Sequence, residues 1–264
     1  MITATMHTAA PAVTFDGKQL IIFDLDGTLT PSKEFMRPGM ARVLGELLSR
    51  VKVAVISGGG FPRFQTQFLR SFPPTQDNLS NLYLLPTSGT RLYTYRREWQ
   101  EVYREDFTAE EKKRIMDAFK AVLTEVRFVA PEKLYGDLIE DRGSQITFSG
   151  VGQNAPISIK EKWDPTREKR LKIVALLRPR LSMCDIRLGG TTSIDVTRRG
   201  MNKAYGIHKL EQYLHIPISD MLFVGDALFT GGNDFPAKAA GVDCIQVSGP
   251  EETEDLIRSW IASR

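Results

Sequence analysis

Leu20-Ile21-Ile22-Phe23 is an unbroken apolar run that stops at Asp24-Leu25-Asp26-Gly27-Thr28. So short a run, with β-branched and aromatic members, predicts a strand buried on both faces, as in a parallel sheet. Val51–Ile56 and Leu82–Leu85 repeat the pattern. Between these runs apolar residues recur at helical spacing, at Met40, Val43, Leu44, Leu47 and Leu48, and again at Phe61, Phe64 and Phe68 around Pro62. Pro31 and Ser32 open a loop. Strand and helix in alternation predict an α/β sheet.

The pattern changes after Thr87-Ser88-Gly89-Thr90. Leu92–Tyr95 and Trp99–Tyr103 alternate apolar with polar, as half-exposed antiparallel strands do. Thr108 with Glu111 predicts a capping box, opening a helix lined by Ile115, Met116, Phe119, Val122 and Val126. Leu138–Glu140 and Gln145–Phe148 predict two more strands; Asp164-Pro165 predicts a helix start and Pro179 its end. From Ile186 the parallel pattern is expected to resume. It has strands at Ser193–Val196, Met221–Val224 and Cys244–Val247, a helix over Lys203–Leu214, and a last helix lined by Ile257 and Ile261. The fold class expected is α/β: a doubly wound, mainly parallel, Rossmann-like core (15–88 and 186–264). Into it is inserted an α+β cap of antiparallel strands and two helices (89–185), and a frayed tail covers 1–14.

Length and charge narrow the function classes. The 264 residues suffice for two folded units. A net charge of +3 with no basic block argues against nucleic acid as a partner. No apolar stretch reaches membrane-spanning length, and Met1–Thr14 lacks the pattern of a secretory signal, so no membrane partner is expected. Cys184 and Cys244 lack metal-site spacing and fit reduced, buried thiols, which makes a cytoplasmic location the expectation. Arg96-Arg97 and the run Arg167, Lys169, Arg170 and Lys172 read as solvated faces. His7, His208 and His215 read as surface or packing residues.

Four segments place polar residues just past predicted strands or at a helix start: Asp24 and Asp26, Ser57 with Gly58, Lys203, and Asp226 with Asp234. In a doubly wound sheet such strand ends converge on one crevice. If extended geometry persists through Leu25, Asp24 and Asp26 project to one side. Four carboxylates there cannot all ionise without a cation, because like charges at close range raise one another's pKa. Oxygen ligands with room for substrate favour Mg²⁺. Ser57, the glycines after it and Lys203 offer donors and charge to an anion, which describes a phosphate site. The same Asp-Gly and Ser-Gly residues are also what tight turns and caps use, so the weight lies on the set and its order.

Asp-Leu-Asp-Gly-Thr-Leu-Thr, Ile-Ser-Gly-Gly, Lys203 and Gly-Asp-x₆-Asn-Asp at 225–234 resemble the four signatures of the haloacid dehalogenase (HAD) superfamily. The resemblance implies Asp24 as nucleophile and Asp26 as general acid and base, with Ser57 and Lys203 binding phosphate. It also implies Mg²⁺ held by Asp24, the Asp26 carbonyl and Asp226, with Asp234 or Asn233 in support. A closer likeness, to eukaryotic-type phosphomannomutases, runs through 140–152, 189–196 and 230–235. It implies that Arg142 and a second arginine grip the distal phosphate of a sugar, and that Ser193 and Asp195 touch its hydroxyls. Here Gln153 stands where the second arginine is expected; it can hydrogen-bond but carries no charge. That departure makes a Mg²⁺-dependent phosphatase of a small phosphorylated metabolite, such as a sugar phosphate, the first expectation. A phosphomannomutase using the same nucleophile is the alternative. A non-catalytic sugar-phosphate sensor is disfavoured, since every expected catalytic group is present. A homodimer through the cap is implied by the same likeness.

Overall fold

The computed structural model describes residues 17–31, 34–73 and 77–262. The tail expected at 1–14 and Ser32 lie outside the described residues. Two sheets organise the rest.

The larger sheet has seven strands in the order β11-β10-β1-β2-β3-β4-β5. They are β1 (Leu20–Asp24), β2 (Lys52–Ile56), β3 (Leu82–Leu85), β4 (Arg91–Arg96), β5 (Glu98–Arg104), β10 (Met221–Gly225) and β11 (Asp243–Gln246). The first five in spatial order are parallel, and β4 and β5 add an antiparallel edge. Period-two alternation sends Ile21, Phe23, Val53 and Val55 to one face. There they pack under α1 (Pro38–Leu48), α8 (Pro250–Ala262), Phe64 and Phe68. Leu20, Ile22, Ala54 and Ile56 pack on the other face with Ile207 and Leu210 of α6 (Lys203–Leu214) and Ala237 of α7 (Phe235–Ala239). Burial on both faces explains the solid apolar runs.

The smaller sheet has four antiparallel strands in the order β6-β7-β9-β8: β6 (Ile139–Asp141), β7 (Gln145–Ser149), β8 (Cys184–Gly189) and β9 (Ser193–Arg198). Its apolar face, with Ile146, Phe148, Ile186, Ile194 and Val196, is covered by α3 (Ala109–Glu125) and α5 (Glu168–Arg180). The Thr108–Glu111 capping box forms as expected.

Several expectations change. The strands at 91–104 join the larger sheet, and Ser193–Val196 belongs to an antiparallel ladder of the smaller one rather than to a resumed parallel pattern. Alternation reports that a strand is half exposed; it does not report its partner. A third, short helix, α4 (Ile157–Trp163), stands beside the two expected. The helix expected after Pro62 makes one α turn, α2 (Phe61–Arg63), then widens to π hydrogen bonding over Phe64–Phe68 and tightens over Leu69–Ser71. Pro179 sits inside the last turn of α5, where the Arg180 Nη1 donates to the Leu176 carbonyl at 2.7 Å. Arg170, expected to be solvated, is buried. Its Nε donates to Asp164 at 2.8 Å and its Nη1 to the Gly190 carbonyl at 2.8 Å, so it holds the turn between β8 and β9. No helix among the described residues is long and apolar enough to cross a membrane.

Candidate active site

The site forms at the carboxyl ends of β1, β2 and β10 and at the start of α6. Asp24 is the last residue of β1 and Asp226 follows β10. Asp234 returns over the 225–234 loop because its own N–H donates to the Ala227 carbonyl (3.2 Å) and its Oδ2 accepts from the Ala227 N–H (2.9 Å). One oxygen from each of Asp24, Asp226 and Asp234 lies within 4.8 Å of the other two. Gly27 permits this approach. Its φ is +85°, and a Cβ there would stand 2.7 Å from the Asp226 Oδ2.

Lys203 completes the cluster. Asn202 caps α6 by accepting from the Ala204 and Tyr205 N–H groups, which fixes Lys203 as the first helical residue. Behind it Gly206 lies against Gly89, whose φ is +90°, and a Cβ on Gly89 would collide with the Gly206 Cα. The Lys203 ammonium donates to Asp24 Oδ1 and to Asp234 Oδ1, and all three side chains are almost fully buried. Burial pulls the lysine pKa down, but the two carboxylates outweigh it and keep the ammonium charged. Asp24 keeps a deficit: burial, with the Asp234 charge beside it, pushes its carboxyl up to about 7 despite Lys203. Asp226 is raised too, by burial and then by Asp234.

The donor set fits a hard divalent cation. Asp24 Oδ2 is buried without a hydrogen-bond partner, as is the Thr28 hydroxyl. An orphaned oxygen on a carboxylate clustered with two further acidic groups is what such an ion would satisfy. Both oxygens of Asp234 are already engaged, one by Lys203 and one by the Ala227 N–H, so Asp234 orients the cluster. Asn233 is exposed.

Asp26 departs from expectation. The strand geometry ends at Asp24, and Asp26 instead pairs with Thr30 in an isolated bridge. Its carboxylate lies outside the metal-type cluster, accepting from the Arg63 Nη2 at 2.6 Å and the Gln67 Nε2 at 3.2 Å. Neither Arg63 nor Gln67 was singled out from the sequence. The signal available was two polar residues four apart among Phe61, Phe64 and Phe68.

Ser57 is buried at the end of β2. Its N–H donates to Leu85, its carbonyl accepts from Ser88, and its hydroxyl accepts from the Gly59 N–H at 3.1 Å. A Cβ on Gly58 would meet nothing within 4 Å, so the backbone there faces open space.

The residues expected to meet a sugar sit on or beside the smaller sheet. Gln145, Thr147 and Ser149 of β7 and Ser193 and Asp195 of β9 share its polar face. Gln145 donates to Thr147 (3.0 Å), and Thr147 donates to Asp195 (2.8 Å). Gly189 clears the space above them, since a Cβ there would strike Asp195 and touch Ser193. Arg142 and Gln153 flank opposite ends of β7, whose length separates them by about 14 Å of backbone. Arg142 is paired with Glu140 at 2.7 Å. The Gln153 Nε2 is buried without a partner, and its carbonyl accepts from Lys160 at 2.6 Å.

A family model described as "Eukaryotic phosphomannomutase" matches residues 40–262. The chain belongs to the eukaryotic phosphomannomutase family. A phosphomannomutase of Spinacia oleracea is 28% identical over 243 residues, covering 89% of this chain and 92% of the relative. Phosphomannomutase 1 of Homo sapiens is 27% identical over 235 residues, covering 87% of each. Among solved structures, an N-terminally truncated Plasmodium falciparum IMP-nucleotidase matches with a TM-score of 0.69, at 19% identity over 93% of this chain and 71% of that one. An Aspergillus fumigatus trehalose-6-phosphate phosphatase matches with a TM-score of 0.57, at 17% identity over 97% and 100%. These two show the fold, which is that of the HAD superfamily with a cap. With the phosphomannomutase family membership, this makes the chain a HAD-type enzyme that handles a sugar phosphate.

Proposed function

We propose that the chain is a hexose-phosphate mutase of the phosphomannomutase type, the alternative weighed in the sequence analysis, in preference to the phosphatase placed first there. The observation that carries the chemistry is the buried Asp24 carboxylate, with Lys203 on one oxygen and no partner on the other. Asp24 is the nucleophile and takes the phosphoryl group. Asp26 gives a proton to the departing sugar oxygen and later removes one from the incoming hydroxyl. Ser57, the open backbone at Gly58 and Lys203 hold the transferring phosphate. Mg²⁺, when bound by Asp24, Asp226 and the Asp26 carbonyl with Asp234 in support, offsets the negative charge of phosphate and carboxylates. Ser193 and Asp195 orient the sugar from the smaller sheet, and Arg142 offers a positive charge to its far end.

Hydrolysis is the second reading, favoured by one observation: the uncharged Gln153. Losing one charge-assisted contact to a distal phosphate costs about 1.5–3 kcal/mol in retention of a bisphosphate. The deciding assay supplies mannose 1-phosphate, Mg²⁺ and a hexose 1,6-bisphosphate, and follows mannose 6-phosphate and inorganic phosphate together. Isomerised sugar in excess of free phosphate is expected. Free phosphate without isomerised sugar would replace the mutase with a phosphatase.

A further inference from the structure

Asp26 is embedded in a small hydrogen-bonded triangle. The Arg63 Nη2 and the Gln67 Nε2 both donate to its Oδ1, at 2.6 and 3.2 Å, while the Arg63 Nε donates to the Gln67 Oε1 at 2.5 Å. The Gln67 Nε2 also lies 3.3 Å from the Thr30 hydroxyl, so the same amide ties down the turn that follows Asp26. Gln67 is buried, and the segment carrying both residues is anchored by the fully buried Phe64 and Phe68 and by Phe61 stacked on Tyr93 at 3.9 Å. That segment is the one whose hydrogen bonding widens to π geometry, a local irregularity that recurs at functional sites. The loop of Ser57 reaches the same triangle, because a Cβ on Gly59 would stand 2.8 Å from the Arg63 Cδ. A carboxylate held at one oxygen by two donors on a rigid segment cannot turn freely about its own side-chain bonds.

We propose that Arg63 and Gln67 are positioning residues for Asp26, fixing the direction in which it delivers its proton. The proposal rests on the role given to Asp26 under the proposed function. In the first transfer an Asp24 oxygen bonds to phosphorus, the phosphorus–oxygen ester bond breaks, and the departing sugar oxygen takes the proton from Asp26. A misaimed Asp26 therefore slows departure of an alkoxide and leaves departure of a carboxylate, which needs no proton, unaffected.

The test measures single-turnover phosphorylation of the full chain with Mg²⁺ from two donors, a hexose 1,6-bisphosphate and acetyl phosphate. Arg63→Ala is expected to slow transfer from the bisphosphate roughly tenfold to a hundredfold and transfer from acetyl phosphate less than about twofold. Gln67→Ala is expected to show the same asymmetry with a smaller loss. Guanidinium ion in solution is expected to restore part of the Arg63→Ala loss with the bisphosphate alone. Should Arg63→Ala fail to fold, Gly59→Ala keeps every polar group, shifts the Arg63 Cδ, and carries the same expected asymmetry. Equal losses with both donors, or no loss with either, overturn the proposal. Wild-type chain that accepts phosphate from neither donor overturns instead the reading of the site on which it rests.

Discussion

The two sheets handle polar groups in opposite ways. The inner parallel strands β1, β2, β3 and β10 of the seven-stranded sheet are apolar on both faces, and the reactive groups gather at or just past the strand ends, on Asp24, Ser57 and Asp226. The four-stranded sheet is apolar on one face only; its other face carries Gln145, Thr147, Ser149, Ser193 and Asp195 in rows, joined by hydrogen bonds from side chain to side chain. The first arrangement separates chemistry from scaffold, so a reactive side chain can change while the packing under it stays. The second makes the polar surface part of the folded ladder itself.

The sharpest separation is expected at Asp24. Asp24→Asn should lower phosphoryl transfer roughly 10⁴-fold or more, measured as phosphoenzyme formation. It should not lower the thermal midpoint, because it removes one of three crowded carboxylates and leaves Lys203 its contact with Asp234. A variant that also unfolds would break the comparison. The converse is expected at Asp164, which supports the smaller sheet through Arg170. Asp164→Asn leaves a buried guanidinium uncompensated and should cost about 3–5 kcal/mol of stability in urea unfolding, on the order of 10 °C in midpoint. It should raise KM more than it lowers kcat.

Smaller effects sharpen the same contrast. Gly27→Ala would press on the Asp226 carboxylate, and the Mg²⁺ concentration for half activity should rise roughly tenfold in a metal titration. The smallest effect concerns Glu111, at the start of α3. The Arg198 guanidinium of β9, at 2.5 Å, holds its carboxyl down to about 2 from an ordinary 4.5. A depressed carboxyl stabilises the fold fully above its unfolded value and loses that contribution as pH falls through its folded one. The stability difference between the native chain and Arg198→Leu should therefore be flat above pH 4.5 and narrow between pH 4.5 and 2. Both groups are partly exposed, so the narrowing should be about 1 kcal/mol or less.

What could be read in advance follows from how local each signal is. The parallel strands, the capping box and the segments bearing Asp24, Ser57, Lys203, Asp226 and Asp234 are short contiguous patterns. The assignment of 91–104 to one sheet and 184–198 to the other depends on pairing across the chain, which alternation does not encode. Arg170 looks like any residue of a basic helix until Asp164 and the Gly190 carbonyl surround it. Asp26 shares a side with Asp24 only if the strand runs on through Leu25, and whether it does is set by the bend there, which the apolar run does not announce. Arg63 and Gln67 stayed hidden because their partner lies on another element and their segment winds with a period no helical pattern anticipates.

The close approach of Gly89 and Gly206 has a practical consequence. Gly89 accepts no side chain while the Gly206 backbone stands where it does, a Cβ on Gly206 would press on the Ile56 Cδ1 at 2.5 Å and the Gly89 Cα at 3.1 Å, and enlarging one glycine cannot be compensated by shrinking the other. For protein engineering the two form a single locus despite their distance in sequence. Residues 105–202 fall wholly between them. A chimera exchanging that interval with a relative would import a new four-stranded sheet as one cassette while retaining both halves of the glycine lock.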